Sequence, residues 1–270
     1  MTTIIQELAS AESVVAQEQN LYAFWSLYGR APGRTIEDGA ALLRIQTGIP
    51  VPIMNAVFRT RLEPDQVGET IGTVRDAFAA QALPFLWWCG PSDRPAGLGA
   101  QLVAQGFHGD SPLPMMAIDL ETLGEEGPLP PGTTIGLVDD EATLRAWCDI
   151  ISVSFGFPPE VHDDFFALET SLGIGEVPGQ YRYVARQNGV PVACSTLLLA
   201  AGVAGIYTVA VEPSARRQGL GAAITLAPLY DARRQGYRIG TLQATAMGQP
   251  VYRRIGFHDI APFDCYAWIP

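Results

Sequence analysis

Positive charge is scarce in this chain: 17 Lys and Arg stand against 28 Asp and Glu, a formal net charge of -11. Such a surface opposes nucleic acid and anionic lipid, which need basic groups to displace their counterions. Histidine is rarer still, at three residues. The four cysteines, Cys89, Cys148, Cys194 and Cys265, lie far apart with no C-x-x-C pair, so neither a zinc site nor a metal cofactor is expected and the thiols read as small buried apolar groups. No long hydrophobic run exists. The strongest, Ala82 to Cys89, falls far short of the roughly 20 residues a membrane span requires. The first twenty residues carry Glu7, Glu12 and Glu18 and lack a basic start, which is unlike a signal peptide. A soluble cytoplasmic protein is the expectation.

What is present is enough apolar residue, 48% of the chain against 17% charged, to build a globular core. At 270 residues two domains are expected. The clearest linker is Gly124-Glu125-Glu126-Gly127-Pro128-Leu129-Pro130-Pro131-Gly132, where prolines and glycines exclude helix. Cutting there gives domains 1–125 and 133–270.

In the second, Leu144, Trp147, Cys148, Ile151 and Phe155 share one helical face over Asp139 to Phe155, with Asp139 or Asp140 as cap. Tyr181–Arg186 and Pro191–Leu199 read as a hairpin around Gln187-Asn188-Gly189. A strand from Val203 to Val211 follows, then a helix from Gly219 to Gln235 that Pro228 should kink. A strand at Tyr237–Ala246, a short helix at Pro250–Ile255 ended by Gly256, and a strand around Cys265–Ile269 complete the series. The first half reads as helix Ile5–Tyr28, strand Ile53–Leu62, helix Glu63–Gln81, strand Phe85–Cys89 and helix Gly97–Gln105. That last helix ends at Gly106-Phe107-His108, and Gly256-Phe257-His258 repeats the ending after the same element order, which indicates an internal repeat.

One loop carries chemistry. Arg216-x-x-Gly219-x-Gly221 joins a strand to the start of a helix, where unpaired N–H groups and the positive end of the helix dipole favour a phosphate or pyrophosphate. No lysine followed by Ser or Thr comes after Gly221, and G-x-G-x-x-G is absent, which argues against nucleoside triphosphate and dinucleotide loops. An ordinary tight turn remains the alternative for the glycines alone.

The run Tyr207-Thr208-Val209-Ala210-Val211-Glu212-Pro213-Ser214-Ala215-Arg216-Arg217-Gln218-Gly219-Leu220-Gly221 resembles the acetyl-CoA-binding motif of the GNAT superfamily of N-acetyltransferases. Gln243 to Phe257, with Tyr252 inside it, resembles that family's second motif. The resemblance covers essentially the second half. It implies an α+β fold: two GNAT-like domains, each a mixed, mostly antiparallel sheet flanked by helices, as in tandem members. It also implies acetyl-CoA as cosubstrate, with the backbone of Val209, Ala210 and Val211 along the pantetheine arm. The N–H groups of Arg216, Arg217, Gln218, Gly219, Leu220, Gly221 and Ala222 would hold the pyrophosphate, and the arginine side chains either contact phosphate or are solvated. The first half lacks such a loop and has Leu102 where the second has Tyr252, so it is expected to be a degenerate copy without a CoA site.

The activity implied is N-acetylation of a small-molecule or peptide amine. Tyr252 would protonate the departing thiolate as general acid, with the Val209 N–H at the oxyanion. The base is open: aligning from Gly219 puts Gly205 where some members carry glutamate, leaving Glu169, Asp163, Asp164, Glu212 and His162 as candidates beside water. Phe155, Phe157, Phe165 and Phe166 read either as core or as an aromatic acceptor wall. The alternative function is a non-enzymatic acyl-CoA-binding or scaffold protein that kept the loop. A homodimer is compatible with either.

Overall fold

A computed structural model describes residues 3–8, 10–109, 112–175 and 177–270. Ala9, within the helix expected from Ile5, lies outside them. In chain order the elements are α1 (Ala11–Arg30), β1 (Thr35–Asp38), β2 (Leu43–Gln46), β3 (Asn55–Phe58), α2 (Val67–Ala79), β4 (Phe85–Cys89), α3 (Leu98–Ala104), β5 (His108–Gly109) and β6 (Met115–Asp119). There follow β7 (Thr133–Leu137), α4 (Glu141–Phe155), α5 (His162–Ser171), β8 (Gln180–Gln187), β9 (Val190–Ala200), β10 (Val203–Val211), α6 (Leu220–Arg234), β11 (Ile239–Gln243), α7 (Gln249–Ile255), β12 (His258–Ala261) and β13 (Asp264–Trp268).

The fold is α+β, with two mixed sheets flanked by helices. The two compact units are not consecutive in sequence. One comprises the residues up to Leu21 and Met115–Ile260, the other Tyr22–Pro114 and Ala261–Pro270. This differs from the cut expected at 125–133, and strand pairing is the reason. β6, five residues from the first half, pairs with β11 along its whole length, while β13, the closing strand expected in the second domain, pairs with β4. Met115, Met116, Ala117 and Ile118 are buried, so β6 gains both ladder bonds and core contacts where it lies.

The larger unit holds a seven-stranded sheet in the order β12-β6-β11-β10-β9-β8-β7. The β8–β9 hairpin turns through Asn188 and Gly189, both at positive φ (51° and 83°), the pairing that matches strand twist. α4 starts at Asp140, whose carboxylate accepts from the Thr143 N–H at 2.6 Å. One sheet face is apolar: Met116, Ile118, Tyr183, Leu197, Ala204, Ile206 and Leu242 pack with Leu220, Ile224 and Leu229 of α6 and Tyr252 of α7. Pro228 sits within α6 and cannot donate to the Ile224 carbonyl. The Ser195 hydroxyl of β9 donates to it instead at 2.7 Å, so the proline is accommodated without an orphan acceptor.

The opposite face is mixed: Arg182, Thr196, Tyr207 and Thr241 share it with buried Val184, Cys194, Leu198, Val203 and Ile239. The first half of α1, capped by the Ser10 hydroxyl accepting from the Ser13 N–H, lays Ser13, Gln17 and Asn20 along its buried side in this unit.

The smaller unit holds a six-stranded sheet, β1-β2-β3-β4-β13-β5. Its core joins Val57, Ile71, Phe78, Phe85, Trp87, Leu102 and Phe107. The strand expected at Phe85–Cys89 is β4, and the helices expected at Glu63–Gln81 and Gly97–Gln105 are the shorter α2 and α3. Among the described residues no helix is long and apolar enough to cross a membrane.

Candidate active site

The larger unit opens where two parallel strands part. β10 pairs with β11 at only two positions, Ala204 with Gly240 and Gly205 with Thr241. Beyond them β11 keeps β6 as partner to Gln243, and β10 keeps β9 to Val211. Tyr207 to Val211 therefore borders a wedge in which an extended ligand can add to the β10 edge. Within this stretch β10 holds one extra residue. Tyr207 faces Thr196 but Ala210 faces Cys194, leaving Thr208 and Val209 opposite Ser195 alone. Thr208 has φ 50°, its carbonyl accepts from the Cys194 thiol at 3.6 Å, and its hydroxyl lies 2.8 Å from that of Thr196. Such a bulge takes backbone groups out of the ladder and re-aims them.

Past Val211 the chain turns through Pro213–Ala215 into α6. Arg217 and Gly219 both take positive φ, 67° and 84°, and Gly219 is the helix N-cap with no side chain capping the first turn. The first bond within α6 is Ala223 N–H to Gly219 O at 3.0 Å. The N–H groups of Gly219, Leu220, Gly221 and Ala222 thus have no acceptor inside the helix and lie at its positive end, an arrangement suited to an anion. A Cβ on Gly219 would meet only Pro130 Cγ at 3.6 Å, so its glycine is required by the left-handed turn rather than by crowding. The two arginines differ. Arg216 is half-buried and donates from Nε to the Val211 carbonyl at 3.0 Å, pinning loop to strand, whereas Arg217 is exposed. Gln218 accepts from Gln187 Nε2 at 3.0 Å.

Tyr252 lies on α7, buried in the same apolar cluster as Leu220, against which Val209 and Val211 pack. Its ring is 5.9 Å from that of Phe257, and a Cβ on Gly248 would strike it at 2.8 Å. Burial pushes its phenol up to about 12, so it is protonated throughout the physiological range. Between α6 and α7 a cavity of ≈ 390 Å³ is lined by Ala222, Leu226, Tyr230, Val251 and Arg254, with Leu123 and Glu125 across it.

Of the candidate bases, Glu169 is buried in an ion pair with Arg182 at 2.7 Å. Arg182 also donates to Gly173 O at 2.8 Å and lies 5.7 Å from the Trp147 ring, so this carboxylate is neutralised within the core. Asp163 is exposed and paired with Arg145 at 2.8 Å, Asp164 is exposed, and His162 Nε2 bonds Phe157 O at 3.0 Å. Glu212 is half-buried at the end of β10. The Gly205 slot is closed to a carboxylate: a Cβ there would collide with Asn20 Oδ1 and with the Tyr207 ring and hydroxyl. The aromatic wall resolves into core, since Phe157 and Phe165 are buried edge to face at 5.3 Å while Phe155 is exposed and Phe166 is covered by Arg145 at 3.7 Å. Among the described residues no cluster of three or more His, Cys, Asp or Glu could hold a metal.

The smaller unit shows the matching region in another state. β3 and β4 pair at Ala56–Leu86 and Val57–Trp87, but the chain beyond them stays joined. Arg94 N–H donates to Thr60 O at 2.9 Å, Leu62 N–H to Arg94 O at 3.2 Å, and the Trp87 indole to the Thr60 hydroxyl at 2.9 Å. The turn before α2 carries Glu63 and Asp65 in place of arginines and glycines.

A parted strand pair, a bulge and an uncapped helix start mark the candidate site, and comparison with known proteins places the fold. Residues 178–259 match the family model described as Acetyltransferase (GNAT) domain. A GCN5-related N-acetyltransferase from Kribbella flavida superposes with TM-score 0.68 at 22% identity, over 94% of this chain and 95% of that one. A tandem GNAT protein from the clavulanic acid biosynthesis pathway gives 0.61 at 14% over 100% and 98%, and a GCN5-related N-acetyltransferase from Sphaerobacter thermophilus gives 0.60 at 17% over 97% and 94%. No curated protein matches. Residues 178–259 thus resemble a GNAT acetyltransferase domain, and the overall fold is that of these GCN5-related and tandem GNAT proteins.

The loop and Tyr252 stand out in the sequence, whereas the bulge at Thr208 and the α1 residues Gln17 and Asn20 do not. A β-branched run gives no sign of an inserted residue. Polar residues in a helix 187 and 224 positions from their partners carry no motif.

Proposed function

We propose that the larger unit transfers an acetyl group from acetyl-CoA to the amine of a small molecule or peptide. The observation that carries this reading is the wedge between β10 and β11 running into the uncapped start of α6, a strand edge for an extended amide arm followed by a cradle for its pyrophosphate. Bound acetyl-CoA would supply the thioester. The N–H groups of Gly219 to Ala222 hold the diphosphate, with Arg217 free to add charge; the β10 backbone at Val209, Ala210 and Val211 aligns the arm, and the bulge turns the Val209 N–H to the developing oxyanion.

Tyr252 donates its proton to sulfur as the C–S bond breaks. A phenol at about 12 is a poor acid toward an ordinary thiol near 8.5, an uphill transfer of roughly 5 kcal/mol. Desolvation raises thiols too, as burial does strongly for Cys148 and Cys194, so a thiolate forming in the dry cleft is basic enough to narrow that gap. With no carboxylate at position 205, the amine arrives neutral and loses its proton to water. One acetyl-CoA binds per chain, because the described residues of the smaller unit keep the strands joined at Thr60 and Arg94 and offer no loop like Arg216 to Gly221.

Incubating the protein with acetyl-CoA and a panel of primary amines while following thiol release and acetylated product tests this. Amine-dependent release is expected. Binding of acetyl-CoA without release from any amine would favour the acyl-CoA-binding alternative.

A further inference from the structure

The apex of the wedge is held by one helix turn of α1. Gly205 and Thr241 form the last rung between β10 and β11, and each side of that rung meets a side chain of α1. Thr241 donates its hydroxyl to Gln17 Oε1 at 2.9 Å, and Gln17 in turn donates to Ser13 Oγ at 3.0 Å. Three residues on, Asn20 Oδ1 accepts from the Tyr207 hydroxyl at 2.6 Å, while its amide donates to the carbonyls of Leu198, Ala200 and Val203 at 3.2, 2.8 and 3.0 Å. Ser13, Gln17 and Asn20 are all fully buried. Every polar atom of the Asn20 side chain is thereby committed, and it ties Tyr207 to the β9–β10 hairpin. Burial keeps the Tyr207 phenol neutral, hence a permanent donor.

Tyr207 is the last regularly paired residue before the bulge. A bulge can slip to a neighbouring register unless the residue beside it is fixed, and a slip of one residue would turn the next N–H out of the cleft. The sheet face at Tyr207 is mixed, with Leu198 and Val203 buried beside Thr196, and apolar contacts of this kind carry no direction. The hydrogen bond from Tyr207 to Asn20 does, and it lies at the residue next to the bulge.

We infer that Asn20 is a positioning residue for acetyl transfer, acting through the Tyr207 hydroxyl to fix the bulge at Thr208 and with it the aim of the Val209 N–H. This rests on the acetyl-transfer reading above. It assigns the first half of α1 a part in the reaction although it lies far in sequence from both motifs.

The test compares Tyr207→Phe, Asn20→Ala and the double variant in kcat, acetyl-CoA affinity, melting temperature and amide hydrogen exchange at Val209 and Ala210. Tyr207→Phe keeps ring and volume, so it remains informative even where Asn20→Ala folds poorly. Each single variant is expected to lower kcat about 10- to 100-fold with acetyl-CoA Kd within about threefold, and the double variant to fall no more than about threefold below the worse single, since both break one link. A merely structural pair would lower melting temperature and leave kcat per folded molecule within twofold; that result, or effects that simply multiply, overturns the inference. Should the wild type release no thiol, the acetyl-transfer reading fails and exchange decides the structural part. Exchange at Val209 and Ala210 should then quicken at least about tenfold in Tyr207→Phe, with Val184 of β8 unchanged, and equal exchange refutes it.

Discussion

Replacing Gly221 by tryptophan should separate ligand binding from folding. Gly221 is the second residue of α6, in helical backbone, and a Cβ built on it has only Val211 Cγ2 within reach, at 3.8 Å. Space for a side chain therefore exists in the protein itself, on the side where β10 ends. Alanine there relieves helical glycine and should stabilise by about 0.8–1 kcal/mol, a rise of about 2–4 °C in melting temperature. An indole instead fills the region in front of the first-turn N–H groups. Losing two charge-assisted hydrogen bonds at about 1.5–3 kcal/mol each removes about 3–6 kcal/mol, or ~10²–10⁴ in Kd. Calorimetric titration with acetyl-CoA and thermal melts on wild type, Gly221→Ala and Gly221→Trp are the assay. Binding by Gly221→Trp within threefold of wild type, in a protein that melts normally, would refute the location of the pyrophosphate cradle.

Titration of the wild type should saturate at one acetyl-CoA per chain, and two equal sites would show that the joined strands at Thr60 and Arg94 do not close the smaller unit to the ligand. The pH profile of kcat/KM should rise with unit slope to the acceptor amine's own pKa and then level, because no carboxylate occupies the Gly205 slot; a limb breaking well below that pKa and independent of the amine would reveal an enzyme base. No alkaline fall should appear below about pH 10, since Tyr252 is raised to about 12 and loses its proton only as pH approaches that value.

Local chemistry made the second half legible. Asn188-Gly189 dictates its turn through left-handed backbone, Gly219 does the same at the helix start, and Asp140 caps α4 through one carboxylate. Partner choice was not legible. β6 is a short buried strand whose residues would suit either sheet, and only the ladder to β11 decides between them. The same holds for β13, where Trp268 pairs with Phe85 and Tyr266 with Trp87. Edge strands β1 and β7 were missed because exposed positions leave little apolar signal, and β2, which does alternate at Leu43 and Ile45, because four residues are too short to stand out. In the candidate site, the loop glycines stand out by their fixed spacing, whereas Asn20 and Tyr207 meet only in the folded protein. Glu169 looked free in sequence because nothing there announces Arg182 as its partner.

The most direct measurement takes an amine that the wild type acetylates and follows thiol release and acetyl-CoA affinity in wild type and Tyr252→Phe side by side. The hydroxyl is the only group removed, and ring packing against Phe257 and Gly248 is kept. Affinity within about threefold and turnover lowered by ~10²–10⁴ is the expected result. Turnover unchanged in Tyr252→Phe would contradict its role as the acid, and a wild type that binds acetyl-CoA yet releases no thiol with any amine would contradict the account of this protein as an acetyltransferase.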